Sequence, residues 1–200
     1  QKSISAKCKS LLWKIAGRSR LLRGFKENPG TKFEYQSGAT QLLGFAIRKS
    51  LNQTIAQYAS EKLWKPLGME HNAEWSTDEL GMEKTFCCIH STSRDFAKLG
   101  QLFLNDGKFG GQQIISSEFL NEMKTPTKLS KEAYGMGLWI NNDAAIKHYY
   151  FWGLYGQYII IIPEKNIIIV RTGSYKDQPT DEKGRPVQAA FLANEVANHY

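Results

Sequence analysis

Between Pro29 and Gly38 the chain reads Pro-Gly-Thr-Lys-Phe-Glu-Tyr-Gln-Ser-Gly, setting a phenol, Tyr35, two residues ahead of a hydroxyl, Ser37. The pair stands on a loop that runs straight into a helix, and a phenolic O–H can donate or accept a hydrogen bond. Both residues also have plainer uses. A loop tyrosine packs its ring on the helix that follows, and a serine at a helix start serves as its N-cap. Other chemistries find no support in the sequence. There is no Gly-x-Ser-x-Gly elbow, no glycine-rich phosphate loop with Lys-Ser/Thr, and no His-Glu-x-x-His. No serine in these 200 residues has a lysine three positions later.

Metal chemistry is not expected. His71, His90, His148 and His199 are scattered without ligand spacing, and Cys8, Cys87 and Cys88 form no C-x-x-C pair. His90 and His148 read as surface or core histidines. Adjacent cysteines rarely bridge each other, so Cys87 and Cys88, between Phe86 and Ile89, read as buried small hydrophobes. No cofactor is implied.

A content of 42% hydrophobic and 12% aromatic residues suits a globular domain with a sizeable core. No apolar run reaches 18 residues, so no transmembrane helix is encoded. The net charge of +7 is uneven, because eight basic residues from Lys2 to Lys26 precede the first acid, Glu27. The remaining 18 basic and 19 acidic residues nearly cancel. This acid-free stretch superficially resembles an organellar transit peptide. The plainer reading is a solvated basic helix or connector. Nucleic acid is not an expected partner, since no basic-aromatic stripe or binding motif accompanies the charge. The chain opens on Gln1, which suggests a fragment or processed product.

Three regions are expected. Residues 1–28 form a basic helical segment or connector, 29–130 a helical part carrying Tyr35-x-Ser37, and 131–200 an antiparallel sheet with a C-terminal helix. After Ser37, Leu42, Leu43, Ala46 and Ile47 recur at helical spacing over about three turns. Thr54 can cap a second helix that Pro66 and Gly68 stop. Residues 69–90 read as irregular. Thr92-Ser93-Arg94-Asp95 opens a helix burying Phe96, Leu99, Leu102 and Phe103. Another begins near Ser117, with Phe119, Leu120 and Met123 inward.

The period then changes. Residues 134–140 read as a strand, and 157–162 with 166–172 as a hairpin around Pro163-Glu164-Lys165. Its arms are continuously apolar, so the hairpin belongs mid-sheet with both faces covered. One cover is the helix 187–199, with Ala190, Phe191, Ala193, Val196 and Ala197 inward. The other cover is expected to lie outside these residues, leaving a large apolar patch.

Several stretches together resemble the class C β-lactamase-like serine hydrolases of the penicillin-binding superfamily, in the branch of esterases and amide-oligomer hydrolases. They are Tyr35-Gln36-Ser37, Gly38–Gly44, Leu63–Met69, Ser93–Leu102 and Tyr134–Trp139. Their order and spacing carry the resemblance, which runs from about Pro29 to the C-terminus. It implies an α+β, β-lactamase/transpeptidase-like fold. The family's third motif, Lys/His-x-Gly, is matched by Leu154-Tyr155-Gly156, with leucine where the family has a cation or histidine.

The resemblance further implies an acyl-enzyme mechanism on an amide, lactam or ester carbonyl. An upstream serine in Ser-x-x-Lys attacks, Tyr35 relays protons, and Ser37 bonds the lysine or the substrate. The Gln157 backbone N–H helps hold the oxyanion. A free phenol titrates near pH 10, so a base role near pH 7 needs neighbouring cations, and Leu154 offers none. Gly156 lets substrate lie on the strand, while Trp152, Leu154 and Tyr155 border it, although Trp152 reads as core before pocket. Tyr35 and the Gln157 N–H are expected to face one cleft, roughly 6–10 Å apart. The expected partners are a small carbonyl substrate and the missing N-terminal portion of the same fold. Family resemblance favours a bacterial periplasm or envelope. Without its nucleophile the chain is expected to be inactive alone, and the alternative is a non-catalytic binding or scaffold module on that fold.

Overall fold

Two isoleucine-rich runs separated by Pro163-Glu164-Lys165 should pair as a hairpin, and in the computed structural model, which describes Asn28 and residues 30–200, they do. The basic segment and its helices fall outside the described residues. Four strands, β1 (Trp139–Asn141), β2 (His148–Gly153), β3 (Gln157–Ile162) and β4 (Ile167–Arg171), form one antiparallel sheet in sequence order. The β3–β4 register runs from Tyr158 opposite Arg171 to Ile162 opposite Ile167. Among the described residues β3 is thus internal and β4 is the last strand of the sheet.

Along β3 the side chains alternate between two cores. Tyr158, Ile160 and Ile162 join Trp139 and Tyr150 against α5 (Val187–His199), whose Ala189, Ala193 and Ala197 form a small-residue stripe. The helix is therefore turned slightly from expectation, and Phe191 lies 58% exposed while Leu192 packs inward. Ile159 and Ile161 point the other way, toward Phe103, Leu120, Leu138 and Ile140. That face is covered by α3 (Ser93–Leu104) and α4 (Ser117–Lys124). Among the described residues the second cover is thus supplied by α3 and α4, not by a segment outside them.

Both covering helices start on side-chain caps. The Asp95 N–H donates to Thr92 Oγ1 at 3.2 Å, and the Phe119 N–H to Ser116 Oγ at 3.2 Å. Phe119 itself is 49% exposed, contrary to expectation, with Leu120 fully buried in its place. Gly100 sets how closely α3 approaches the sheet. A Cβ there would lie 2.7 Å from Ile168 Cγ2 and 3.1 Å from Ile159 Cγ2. Gly100→Ala is therefore expected to lower stability by about 1–3 kcal/mol, despite alanine's better helix propensity, because the helix must lift from the sheet. Urea unfolding measures this, and an unchanged or raised midpoint would refute the packing argument.

Two expected features differ. Strand β2, His-Tyr-Tyr-Phe-Trp-Gly, is absent from the sequence reading. Residues 134–138, expected as strand, instead turn back so that Tyr134 bridges Trp139 and the Gly135 N–H reaches the Leu138 carbonyl at 2.9 Å. Gly137, at φ +78°, permits that reversal.

The chain divides into two compact units, one holding residues up to Gln57 with Trp75–Cys88, the other Tyr58–Glu74 with Ile89–Tyr200. The sheet and its cores belong to the second. The first holds α1 (Ser37–Leu51), a turn longer than expected, which ends at Asn52 in the left-handed region at φ +53°. Helix α2 (Ile55–Ala59) opens on a reciprocal cap between Thr54 and Gln57, each amide bonded to the other's side chain at 3.1 Å. A π-helical turn, Ser60–Trp64, continues α2 to Pro66 and Gly68.

Candidate functional site

Tyr35 lies on an extended segment just ahead of α1 and is 51% exposed. Gln36 occupies the N-cap position at φ −135°, Ser37 is the first helical residue, and no side chain caps the helix. Ser37 is therefore not the N-cap that its type suggested. The helix start is secured one turn later by Gln41, which is 5% exposed. Its amide donates to the Glu83 carbonyl at 3.0 Å and accepts from the Thr85 N–H at 3.0 Å. The Thr85 hydroxyl adds a bond to the Thr40 carbonyl at 3.0 Å. Glu83 also accepts from the Ala56 N–H at 3.0 Å and pairs with Arg48 at 3.3 Å. The loop 76–88 thus acts as a bracket under the helix that follows Tyr35-x-Ser37.

In the other unit, Leu154-Tyr155-Gly156 forms the turn of the β2–β3 hairpin, closed by the Gly153–Gln157 pair. Tyr155 at φ +62° and Gly156 at φ +81° both lie in the left-handed region, which glycine adopts freely and tyrosine rarely. A clamp holds this turn. Arg171 donates to the Gly156 carbonyl, and the Tyr175 N–H to the Tyr155 carbonyl at 3.0 Å. The Gln157 amide accepts from the Gly173 N–H at 3.0 Å and donates to the Gly173 carbonyl and, at 3.2 Å, to that of Leu154. The Gln157 side chain is thus committed to structure, and its main chain is the part left to consider for chemistry.

Around the turn, Leu154 is 72% exposed, with Tyr155 and Tyr175 each nearly half exposed. Trp152 is half-buried, stacked edge-on against Trp139 with ring centres 5.2 Å apart, and its indole N–H donates to Gln178 at 3.3 Å. Its ring belongs to the core on the α5 side of the sheet. No sequence motif marks Arg171, Gly173, Tyr175 or Gln178. The available signal was an arginine closing an otherwise apolar strand.

Three further polar arrangements are structural. Asp95 is fully buried, and its carboxylate accepts from the Glu70 N–H at 2.7 Å, the His71 N–H at 3.3 Å and the Thr92 hydroxyl at 2.9 Å. Burial alone would raise this carboxyl, but those donors, with the His71 ring, outweigh it and hold it below the usual range. Arg185, 8% exposed, joins Asp143 and Asp181. The Arg185 and Lys183 donors keep Asp143 well below the ordinary carboxylate range. His148 is buried, with Nδ1 2.7 Å from the Ile146 carbonyl, and burial pushes its pKa down. It borders a shallow pocket of about 280 Å³, shared with Lys124, Tyr149 and Pro163, at the end of β2 and β3 away from the turn. Among the described residues no cluster of His, Cys, Asp and Glu could hold a metal ion, and no helix is long and apolar enough to cross a membrane.

The cysteines require a correction. Cys87 and Cys88 are half-buried and joined to each other by a disulfide. Cys88 stands at φ +76°, a local conformation that no residue propensity announces.

A model of the family described as Beta-lactamase matches residues 20–194 of this chain. The chain belongs to that family. Among curated Beta-lactamase relatives, the 6-aminohexanoate-dimer hydrolase of Paenarthrobacter ureafaciens is 21% identical over 74% of this chain and 41% of its own length. A protein of Escherichia coli O157:H7, provisionally described as a D-alanyl-D-alanine carboxypeptidase, is 23% identical over 76% of this chain and 47% of its own. The chain thus spans less than half the length of these relatives. A solved Bacillus anthracis structure, provisionally assigned as a 6-aminohexanoate-dimer hydrolase, superposes with a TM-score of 0.76 at 28% identity. It covers 88% of this chain and 46% of that one. Simvastatin synthase of Aspergillus terreus shares the fold, at a TM-score of 0.66 and 14% identity over 97% of this chain and 62% of that one. The β-lactamase/transpeptidase-like fold and membership of the hydrolase superfamily are thereby established.

Proposed function

We propose that this chain is the tyrosine- and oxyanion-bearing part of a serine hydrolase that cleaves an amide, lactam or ester carbonyl through an acyl-enzyme. The nucleophile is a serine in a Ser-x-x-Lys motif outside these 200 residues, and the chain alone does not turn over substrate. The observation that carries this reading is the clamped Leu154–Gln157 turn on a Beta-lactamase-family chain. Main-chain donors stabilise an oxyanion only if they need not reorganise, and one such donor is worth about 2.7–4 kcal/mol. The Gln157 N–H supplies it, Tyr35 relays the proton to the leaving group, and Ser37 orients the lysine or the substrate.

Among substrates, a linear amide is favoured. Leu154 and Tyr155 with the neighbouring Tyr175 give the turn an exposed, uncharged, apolar border, suited to an aliphatic chain rather than to a carboxylate. The 28%-identical Bacillus anthracis structure carries an amide-oligomer hydrolase assignment. The partner that completes the site is the remaining portion of the same fold, and an envelope location accompanies it by family analogy.

The chain is expected to leave nitrocefin and p-nitrophenyl esters at their background rates of hydrolysis. Covalent capture of one specific serine by a fluorophosphonate would overturn that. An in-frame Ser-x-x-Lys in the coding sequence ahead of Gln1 would support the enzyme. A coding sequence without one would favour a second reading, a binding or scaffold module, for which leucine at position 154 is the specific observation.

A further inference from the structure

A disulfide between adjacent residues does almost nothing as a staple. Cross-links stabilise chiefly by shortening the loops open to the unfolded chain, and the gain grows with loop length. Cys87 and Cys88 are adjacent, so their bond closes only the small ring through their own peptide bond. Its effect is local, on the backbone at Cys88, held at φ +76° where side-chain-bearing residues are disfavoured. The carbonyls of this dipeptide are tie points. The Cys88 carbonyl accepts from the Ser76 N–H at 3.0 Å, and the Cys87 carbonyl from Trp75 Nε1 at 3.0 Å. The same indole N–H reaches the Lys84 carbonyl at 3.1 Å, which also accepts from the Cys87 N–H at 3.0 Å. Just upstream, Thr85 and Glu83 carry the bonds to Thr40, Gln41, Arg48 and Ala56 described above. Both cysteines are only half-buried, so the pair is not sealed in the core.

We propose that Cys87–Cys88 is a thiol–disulfide exchange site for small dithiols and small disulfides, whose redox state sets the bracket under α1. In the reducing direction, a thiolate of the dithiol attacks one cysteine sulfur, breaking the Cys87–Cys88 bond and releasing the other cysteine as thiolate. The second thiol of the reagent then displaces the mixed disulfide. The reagent leaves as a cyclic disulfide, two electrons pass to the protein, and the two reagent protons end on the cysteines. In the oxidising direction, glutathione disulfide takes the same two electrons and leaves as two glutathione thiols. Opening the bond frees Cys88 to leave the left-handed region, loosening the Ser76 and Trp75 ties and then the Thr85–Gln41 bonds. This role is independent of catalysis and survives if the hydrolase reading fails.

The whole chain, folded, is equilibrated in dithiothreitol or glutathione buffers, alkylated and digested with trypsin. Cleavage after Lys84 and Arg94 places both cysteines on one peptide, away from Cys8. The expected result is joint, reversible labelling of the two thiols in the folded state. Reduction should also raise Trp75 emission, since a nearby disulfide quenches indole, and Trp75→Phe should abolish the rise. Amide exchange over residues 40–44 should quicken by about tenfold on reduction, the mark of a local opening. Cys87→Ser and Cys88→Ser should match the reduced form in exchange whatever buffer is used. Thiols fully labelled without reductant, a bond that opens only in denaturant, or reduction without change in exchange or Trp75 emission would each overturn the proposal.

Discussion

Asp95→Ala is expected to lower the unfolding free energy by about 3 kcal/mol. Four donors converge on its carboxylate, the Glu70 and His71 amides and the Ser91 and Thr92 hydroxyls, and alanine takes this acceptor from all four. Hydrogen bonds to a charged group contribute roughly 1.5–3 kcal/mol each, and stranded donors add their desolvation, less whatever water recovers. By contrast, the Lys98–Glu70 pair joins the same two segments at 3.1 Å, but both side chains meet solvent. Losing it should cost below about 1 kcal/mol. The pH response separates the anchor from a mere packing residue. The folded Asp95 carboxyl titrates below its ordinary value, so its contribution is complete above about pH 4 and is lost as pH falls through the folded value. Asp143 and Asp181 are lowered as well, so the intact protein loses stability in acid from several sources. The gap between wild type and Asp95→Asn should therefore narrow from pH 5 toward pH 2. Urea unfolding at each pH measures it, and a gap that stays constant would show that the charge is immaterial.

Asp95 also explains why family likeness came in patches. Leu63–Met69 and Ser93–Leu102 are separate in sequence, yet the second supplies the carboxylate and lysine that hold the residues just after the first. The Lys98 ammonium reaches the Gly68 carbonyl at 2.6 Å, and Trp64 donates to the His71 carbonyl at 2.8 Å. What was legible follows from local rules. The β3 run ends at Pro163 and α5 starts after Pro186, so those limits agree with the structure to the residue. Strand β2 escaped because His-Tyr-Tyr-Phe-Trp-Gly has no alternation, both its faces being covered, although its aromatic residues favour strand. Hydrophobicity alone turns Phe119 and Phe191 inward, whereas helix rotation is decided by neighbours, here the alanine stripe of α5 and Leu120. The disulfide depends on one backbone angle at Cys88. Of the candidate site, Tyr35, Ser37 and the Leu154–Gln157 segment were readable as motifs. The clamp on the turn was not, because Arg171 and Gly173 reach it only once β4 has paired with β3.

The second large effect is expected at Gly156, where valine should cost about 3–4 kcal/mol. Two penalties combine. The residue sits at φ +81°, where a Cβ costs about 1–2 kcal/mol and a β-branched side chain more. A Cβ there would also lie 2.4 Å from Arg171 Nη1, 3.0 Å from Gln188 Oε1 and 3.1 Å from Gln178 Nε2. The guanidinium must then leave the Gly156 carbonyl, which loses a charge-assisted bond worth roughly 1.5–3 kcal/mol when partly buried. Tyr155 offers the contrast. It already tolerates φ +62° as a non-glycine residue, so Tyr155→Gly should be neutral or mildly stabilising to the turn while removing apolar surface. Arg171→Met in the Gly156→Val background tests the division. If the clash with the guanidinium carries much of the cost, the double variant should be less destabilised than the sum of the two singles by about 0.5 kcal/mol or more, the coupling of residues in contact. Strict additivity would mean that the new side chain is accommodated without disturbing Arg171, and that backbone strain alone makes glycine necessary at the turn holding the Gln157 N–H.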